Sequence, residues 1–164
     1  MQKTHLQCRE CKKEYDPTFK YICDECFGPL DVHYDFPTLT KNTFVNREQT
    51  YWRYFELLPI TDKSNIVSIN AGMTPLVKAE KLGKEIGLNN LYIKNDSVNP
   101  TFSFKDRPAG VAVSKAKEFG LASVGCASTG NLASATAAHA AKAGFPCYIF
   151  APSDIEHAKI AQAL

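Results

Sequence analysis

The chain passes from a strand into a helix through Asn99-Pro100-Thr101-Phe102-Ser103-Phe104-Lys105-Asp106-Arg107. The residues just before it, 91–94, read Leu-Tyr-Ile-Lys and predict a short buried strand. Asn99-Pro100 is a loop signal, because a proline disfavours helical backbone in the residue that precedes it. We therefore expect the helix to begin several residues after the strand has ended.

The expected start of that helix gives one lysine an unusual position. Ser103 is a good N-cap, Asp106 follows it at the spacing of a capping box, and Pro108 is tolerated in a first helical turn. Lys105 is then expected at a helix N-terminus, where the macrodipole disfavours a positive charge. A reactive amine fits this position, and so does an ordinary solvated surface lysine.

A regular alternation of strands and helices begins at Leu91. The predicted strands lie at 91–94, 123–127 and 147–151, and the predicted helices at 104–119, at 131–143 and from about Asp154 to Leu164. Gly120 and Gly144 follow the first two helices as C-terminal stop signals. This alternation predicts an α/β fold with a parallel sheet and right-handed crossovers.

The second predicted strand of this series runs into Ser128-Thr129-Gly130-Asn131. Two hydroxyls, a glycine that allows close backbone approach and the N–H groups of a helix start suit the carboxylate of an amino acid. The same residues are common in ordinary N-cap turns, which is the alternative interpretation. Ligands bind beyond the carboxyl ends of parallel strands, so we expect this loop and Lys105 to face one pocket.

The region before this alternation predicts smaller pieces. Tyr51 to Leu58 carries apolar residues at helical spacing, which predicts a short helix that packs on the main domain. Further predicted elements are a strand at 66–69, an extended segment at 74–77 and a helix at 79–86. The predicted units are a small module at 1–36, a connector with its packing helix at 37–70 and an incomplete α/β domain at 71–164.

Four of the six cysteines form two pairs, Cys8 with Cys11 and Cys23 with Cys26. Each CxxC turn can direct two thiolates at one ion, and two turns complete a tetrahedron. The spacing predicts a structural zinc site that holds a zinc-ribbon-like module. Iron on the same four ligands and a pair of disulfides are the alternatives. Cys126 and Cys147 lie in apolar stretches and are interpreted as small hydrophobic residues.

Composition narrows the possible partners. The chain is 45% apolar and 22% charged with a net charge of +2, which is typical of an ordinary globular protein. Residues 1–35 carry five basic and seven acidic side chains, a balance that argues against a nucleic-acid surface on a zinc module. No apolar run has the length of a signal peptide or a membrane span. We therefore expect a protein that is located in the cytoplasm and has no membrane partner.

Four segments, in this order, resemble those of threonine synthases, which are fold-type II enzymes dependent on pyridoxal 5′-phosphate (PLP). They are Trp52-Arg53-Tyr54 with Glu56-Leu57-Leu58-Pro59, then Gly72-Met73-Thr74-Pro75-Leu76, then the stretch from Asn99 to Arg107, then Cys126-Ala127-Ser128-Thr129-Gly130-Asn131. Many members of that family also carry a cysteine-paired N-terminal extension. The resemblance therefore implies the front part of a PLP-dependent enzyme.

The resemblance also implies residue roles. Lys105 would be the Schiff-base lysine, Asn131 would hydrogen-bond the 3′-hydroxyl of PLP, and Ser128-Thr129-Gly130 would hold the substrate carboxylate. The implied reaction converts O-phosphohomoserine and water to threonine and phosphate in a homo-oligomer. The alternatives are a related PLP lyase, such as a threonine dehydratase or a cysteate-synthase-like enzyme, and a non-catalytic zinc-ribbon interaction protein.

Two positions depart from the family pattern. Phe102 stands where many relatives have glycine, and Leu132 stands where many have a threonine whose hydroxyl could bind a substrate phosphate. The sequence also lacks a glycine-rich loop for the PLP phosphate, so we expect either part of a longer enzyme or a subunit-like piece that requires a partner. The four histidines show no ligand spacing, and we assign no role to His5, His33, His139 or His157.

Overall fold

The computed structural model describes residues 3–156, 158 and 161–164. Its first part is a three-stranded antiparallel sheet in the order β2-β1-β3. The strands are β1 (Lys3–Cys8), β2 (Glu14–Tyr15) and β3 (Leu30–Asp35). Two tight turns follow Cys8 and Cys23, and each contains a residue with positive φ, Lys12 in the first and Phe27 in the second. The sheet and the turns bring the two cysteine pairs together.

The connector is built from three short 3-10 helices, Lys41–Phe44, Tyr51–Leu57 and Lys63–Asn65. The predicted packing helix is thus 3-10 in character, and it is kinked at Tyr54. The predicted strand at 66–69 was wrong, since no strand forms there. The N–H of Val67 instead donates to Ser114 Oγ at 2.8 Å, so a side chain replaces the neighbouring strand that a sheet would need.

The remaining residues alternate between strands and helices. The elements are β4 (Leu76–Lys78), α1 (Glu80–Glu85), β5 (Tyr92–Lys94), α2 (Asp106–Glu118), β6 (Val124–Ala127), α3 (Asn131–Ala143) and β7 (Cys147–Phe150). Gly120 and Gly144 have positive φ at the ends of α2 and α3, as their sequence positions predicted. Part of the predicted helix from Asp154 to Leu164 lies outside the described residues, and 154–156 and 161–164 form turns and irregular backbone.

The sheet differs from its prediction in one respect. Strand β6 pairs with β7 in parallel, but β5 pairs with β4 antiparallel and is exposed. The prediction that 91–94 is a buried strand of the parallel sheet was therefore wrong. Its backbone finds partners in the extended segment after Pro75, whose carbonyl also accepts from Asn95 N–H at 2.9 Å.

Two helices supply the core next to the parallel strands. Helices α2 and α3 pack against each other through small side chains, because alanine and glycine let their backbones approach closely. Glu118 on α2 accepts from the N–H groups of Thr61 and Asp62, at 2.8 and 3.2 Å, which attaches the connector to the same helix. Within the described residues, no helix is long and apolar enough to cross a membrane.

Candidate active site

The loop that carries Lys105 is closed by a buried carboxylate. Helix α2 begins at Asp106, and the side chain of that residue accepts from Thr101 N–H and from Thr101 Oγ, both at 2.8 Å. The capping box with Ser103 does not form, because Asp106 is engaged by Thr101. Ser103 Oγ accepts instead from Lys105 N–H at 3.0 Å. The ends of the loop are thus fixed on either side of the lysine.

Lys105 itself occupies the N-cap position of α2 and is half-buried. Its Nζ lies 4.7 Å from the centre of the Phe104 ring, an aromatic contact that orients the amine. Among the described residues, no carboxylate lies within 4 Å of Nζ to form an ion pair.

A second layer of contacts fixes the loop from outside. Arg107 donates to both carboxylate oxygens of Asp96, at 2.6 and 2.9 Å, and Thr74 Oγ donates to the same carboxylate at 2.7 Å. The Arg107 guanidinium lowers the pKa of Asp96 to about 2. This bidentate pair connects the start of α2 to the segment before β4 and to the turn after β5.

Asn99 connects the lysine loop to Gly72, in the segment before β4. Its buried side chain accepts from Gly72 N–H at 2.9 Å, and Gly72 has a positive φ of 89°. A Cβ at Gly72 would lie 2.8 Å from Tyr51 Cβ, so this position requires glycine for space as well as for conformation. Asn99, Thr74 and Gly72 belong to segments that the sequence marks as motifs, but the sequence assigned them no role, and it gave no signal for Asp96.

The loop from Ser128 to Asn131 is more open. Ser128 N–H donates to Phe150 carbonyl at 3.2 Å, and Ser128 Oγ accepts from Gly130 N–H at 3.3 Å. Apart from Gly130 and its chain neighbours, no atom of the described residues lies within 4 Å of the place where a Cβ would stand on Gly130. Thr129 and Asn131 are exposed. Ala133 N–H and Ser134 N–H donate to the Gly130 carbonyl, at 2.9 and 3.4 Å, so only the first N–H groups of α3 lack an acceptor within the helix. This geometry can receive an anionic or carbonyl group.

The four N-terminal cysteines form one cluster, with all Sγ atoms within 4.8 Å of one another. Cys8 and Cys26 sulfurs are 3.4 Å apart and Cys11 and Cys23 sulfurs 3.6 Å apart, while all six cysteines are free thiols. A tetrahedron with Zn–S bonds of 2.3 Å has edges of about 3.8 Å, so the cluster fits one ion. It does not fit two disulfides.

A tyrosine supports the cluster. The Tyr15 hydroxyl lies 3.0 Å from Cys23 Sγ, and this hydrogen bond lowers the pKa of that thiol to about 6. The thiolate is the form that binds a metal ion. By contrast, Cys126 on β6 and Cys147 on β7 are only half-buried, and burial raises the pKa of Cys147.

Comparison with known proteins decides the family. The family model described as "Pyridoxal-phosphate dependent enzyme" matches residues 67–164. The chain belongs to this family. The match covers every element from β4 to β7 and confirms that the domain of Lys105 is an α/β domain of the PLP-dependent class.

Individual relatives agree with this membership. The chain is 42% identical to "Threonine synthase" of Methanocaldococcus jannaschii, over 96% of this chain and 40% of that protein. It is also 42% identical to "Threonine synthase" of Methanosarcina acetivorans, over 98% and 40% of the two chains. The solved structure of processed threonine deaminase isoform 2 from Solanum lycopersicum superposes with a TM-score of 0.51 at 26% identity, over 77% of this chain and 36% of that one. The chain thus spans about two fifths of the threonine synthases that it matches.

The cofactor of the family can be tested against these two loops. An unpaired amine at Lys105 and an uncovered glycine at Gly130 with exposed Asn131 beside it provide the groups that a carbonyl-bearing, anionic cofactor needs. Two cavities of about 600 Å³ lie along α2, one against the cysteine module and connector and one against α3 and β6. Neither is lined by Lys105 or Asn131, so a shared pocket for the two loops stays a prediction.

Proposed function

We propose that this chain forms the N-terminal part of a PLP-dependent threonine synthase, a lyase that converts O-phosphohomoserine and water to threonine and phosphate. The observation that carries the proposal is the amine of Lys105. It has no ion-pair partner among the described residues, and a loop fixed at Thr101 and Asp106 holds it at the start of α2. The 42% identity to two threonine synthases supports the same substrate.

Lys105 has two tasks in this proposal. Its Nζ would hold the cofactor, and the same amine would move protons at the α and β carbons of the substrate. When bound, PLP supplies the electron sink that makes those protons acidic. The clamp between Asp106 and Thr101 keeps the amine near the reacting carbons.

The loop before α3 binds and orients. Asn131 would hydrogen-bond the 3′-hydroxyl of the cofactor, and Ser128-Thr129-Gly130 would hold the substrate carboxylate with hydroxyl and N–H groups. Gly130 leaves the space that close approach of a carboxylate requires. Leu132 gives no hydroxyl to a substrate phosphate, so that group must be bound by other residues.

The cysteine cluster has a separate structural task. We propose that Cys8, Cys11, Cys23 and Cys26 bind one zinc ion that stabilises a zinc-ribbon-like module at 1–36, next to a connector at 37–70 and the PLP domain at 71–164. Four thiolates close a tetrahedral shell, so the ion would not bind substrate. The partner implied for the site is a small-molecule substrate, in a cytoplasmic homo-oligomer.

Assays with two substrates test this function. The full-length natural protein, loaded with PLP, should release phosphate from O-phosphohomoserine and form threonine, and Lys105→Ala should abolish both. The structural similarity to a threonine deaminase makes deamination of threonine the second candidate. Formation of a 2-oxo acid and ammonia from threonine, without phosphate release from O-phosphohomoserine, would replace the first assignment with the second.

A further inference from the structure

Five buried side-chain polar atoms have no hydrogen-bond partner in the described structure, and two of them are Tyr51 Oη on the connector and His139 Nε2 on α3. Both are shielded from solvent, and such atoms are rare in folded proteins unless something satisfies them. They come from segments 88 positions apart in the chain, yet they approach the same glycine on α2. Each of the two atoms is therefore a candidate hydrogen-bond partner for the other.

The chemistry of His139 fixes which atom can donate. Its Nδ1 lies 2.9 Å from the Ala135 carbonyl oxygen, which can only accept, so Nδ1 carries the proton. Burial lowers the pKa of His139, which keeps the ring neutral. A neutral ring protonated on Nδ1 has a bare lone pair on Nε2. That atom needs a donor, and a buried tyrosine hydroxyl is one.

Gly110 on α2 provides the opening through which the two rings approach. A Cβ at this position would lie 2.2 Å from Tyr51 Oη and 2.8 Å from His139 Nε2, so any side chain there would displace both. Both atoms thus lie beside the same point on α2, and the absence of a side chain on Gly110 leaves the space between them open. Burial and the Asp106 carboxylate raise the pKa of Tyr51, so its hydroxyl keeps the proton that it donates.

Asp106 links this contact to the lysine loop. Its Oδ1 lies 4.0 Å from His139 Nδ1 and accepts from Thr101 Oγ, which precedes Lys105 by four residues. The groups that face the His139 ring are thus Tyr51 from the connector and Asp106 from α2, besides the carbonyl on its own helix. The ring lies between the connector and the carboxylate that closes the loop.

We infer that Tyr51 donates a hydrogen bond to His139 through the opening at Gly110, and that this contact positions Asp106 and hence the loop of Lys105. Tyr51 and His139 act here as positioning residues, because neither contacts the reacting atoms. The hydrogen bond is the structural half of this inference and rests on the core geometry alone. The positioning of the loop is its functional half and rests on the proposed role of Lys105.

The structural half is tested by nitrogen NMR on the full-length protein with labelled histidine. We expect His139 to show a protonated Nδ1 and a hydrogen-bonded Nε2, and in Tyr51→Phe the Nε2 signal should move downfield to the position of a free lone pair. A double-mutant cycle of Tyr51→Phe with His139→Phe should show coupling of at least about 3-fold in the unfolding constant. If His139→Phe does not fold, the NMR comparison alone decides.

The functional half is tested by the rate at which borohydride fixes PLP to Lys105. Tyr51→Phe should slow this labelling by roughly 3- to 30-fold, because the amine is less well placed. The matched control is Tyr54→Phe, which removes a hydroxyl from the same 3-10 helix at a partly exposed position and should leave the rate unchanged.

The outcomes separate this inference from the proposed function. An Nε2 that carries the proton, or one unaffected by Tyr51→Phe, would overturn the inferred contact while labelling at Lys105 still supports the enzyme. Intact coupling with unchanged labelling in Tyr51→Phe would overturn the positioning role. Labelling of another lysine in the unsubstituted protein would overturn the proposed function, and the positioning role with it.

Discussion

The cysteine module and the α2–α3 pair are stabilised in different ways. In the module, two of the most buried residues are Cys8 and Cys23, while aromatic residues such as Phe19, Tyr21 and Phe27 are exposed. In the helix pair most of the buried residues have small side chains, among them Ala109, Val113, Ser114, Ala116, Ala133, Ala135 and Ala140. We therefore expect the module to depend on the proposed metal ion at its four sulfurs, and the helix pair to depend on close packing.

One aromatic contact connects the two regions. Phe19 of the module meets Phe119 at the end of α2 edge-on, with ring centres 5.9 Å apart. An aromatic pair of this kind contributes about 0.5–1.5 kcal/mol, which is small beside the stability of either region. We therefore expect that the module can lose its structure while the helix pair keeps its own.

Removal of the metal should have the largest effect. A strong chelator, or Cys23→Ser, should abolish protection of the amides in β1–β3 from hydrogen exchange, because structural zinc contributes about 10–16 kcal/mol in small cysteine-bound peptides. Protection of α2 and α3 should change little. Cys126→Ser, outside the cluster, is the matched control. Elemental analysis that finds no metal, with a β1–β3 sheet that resists the chelator, would remove this distinction between the regions.

A cavity in the connector core should have the next largest effect. Ile60 is completely buried in a cluster with Tyr51, Trp52 and Ala71, and Ile60→Ala should lower the free energy of unfolding by about 2–5 kcal/mol. Leu57→Ala, at a side chain that is 42% exposed, should cost much less. Urea unfolding of both variants measures the difference. Equal losses would mean that the connector is not held by apolar packing.

The Asp96–Arg107 pair should make the free energy of unfolding depend on pH in the acidic range. The folded pKa of Asp96, about 2, lies below its ordinary value of 3.8, so the stabilisation is complete above the ordinary value and is lost as the pH falls toward 2. After allowance for solvent screening this amounts to about 1–2 kcal/mol. Urea midpoints measured from neutral pH down to about pH 2 should fall less steeply in Asp96→Asn. Parallel curves for the two proteins would exclude the pair as the cause.

Relief of backbone strain at Phe102 should have the smallest effect. This exposed residue has a φ of 60° in the loop before Lys105, a conformation that glycine adopts without steric cost. Phe102→Gly should therefore raise the free energy of unfolding by roughly 0.5–1 kcal/mol after the entropy cost of glycine. Thermal unfolding measures the shift. A loss of stability would show that the phenyl ring makes contacts that outweigh the strain.

Local signals in the sequence predicted much of the fold. The bounds of α3 match their prediction. Gly144 ends this helix in a left-handed conformation, because a helix stop signal of this kind depends on the glycine itself. The cysteine spacing likewise predicted the cluster that forms. The pairing of β5 with β4 was missed, since strand partners are set by contacts distant in the chain.

The buried polar contacts around Lys105 were also missed. Asp106 has capping spacing from Ser103, yet it accepts from Thr101 because the loop folds back on itself. His139 lies in an alanine-rich helix whose sequence gives no sign of a polar partner, and only the fold brings it near Tyr51 and Asp106. The sequence suggested Lys105 as the reactive lysine, which stays a prediction, whereas the residues that hold its loop became visible only in three dimensions.

Covalent trapping with borohydride tests whether Lys105 is the lysine that binds the cofactor. The full-length natural protein is incubated with PLP, reduced with borohydride, digested and mapped by mass spectrometry. We predict a pyridoxyl group on Lys105, lost in Lys105→Ala and equally in Lys105→Arg, because a guanidinium stays protonated and forms no imine. A pyridoxyl group on Lys94 or Lys115, with Lys105 unmodified, would contradict the proposed role of Lys105.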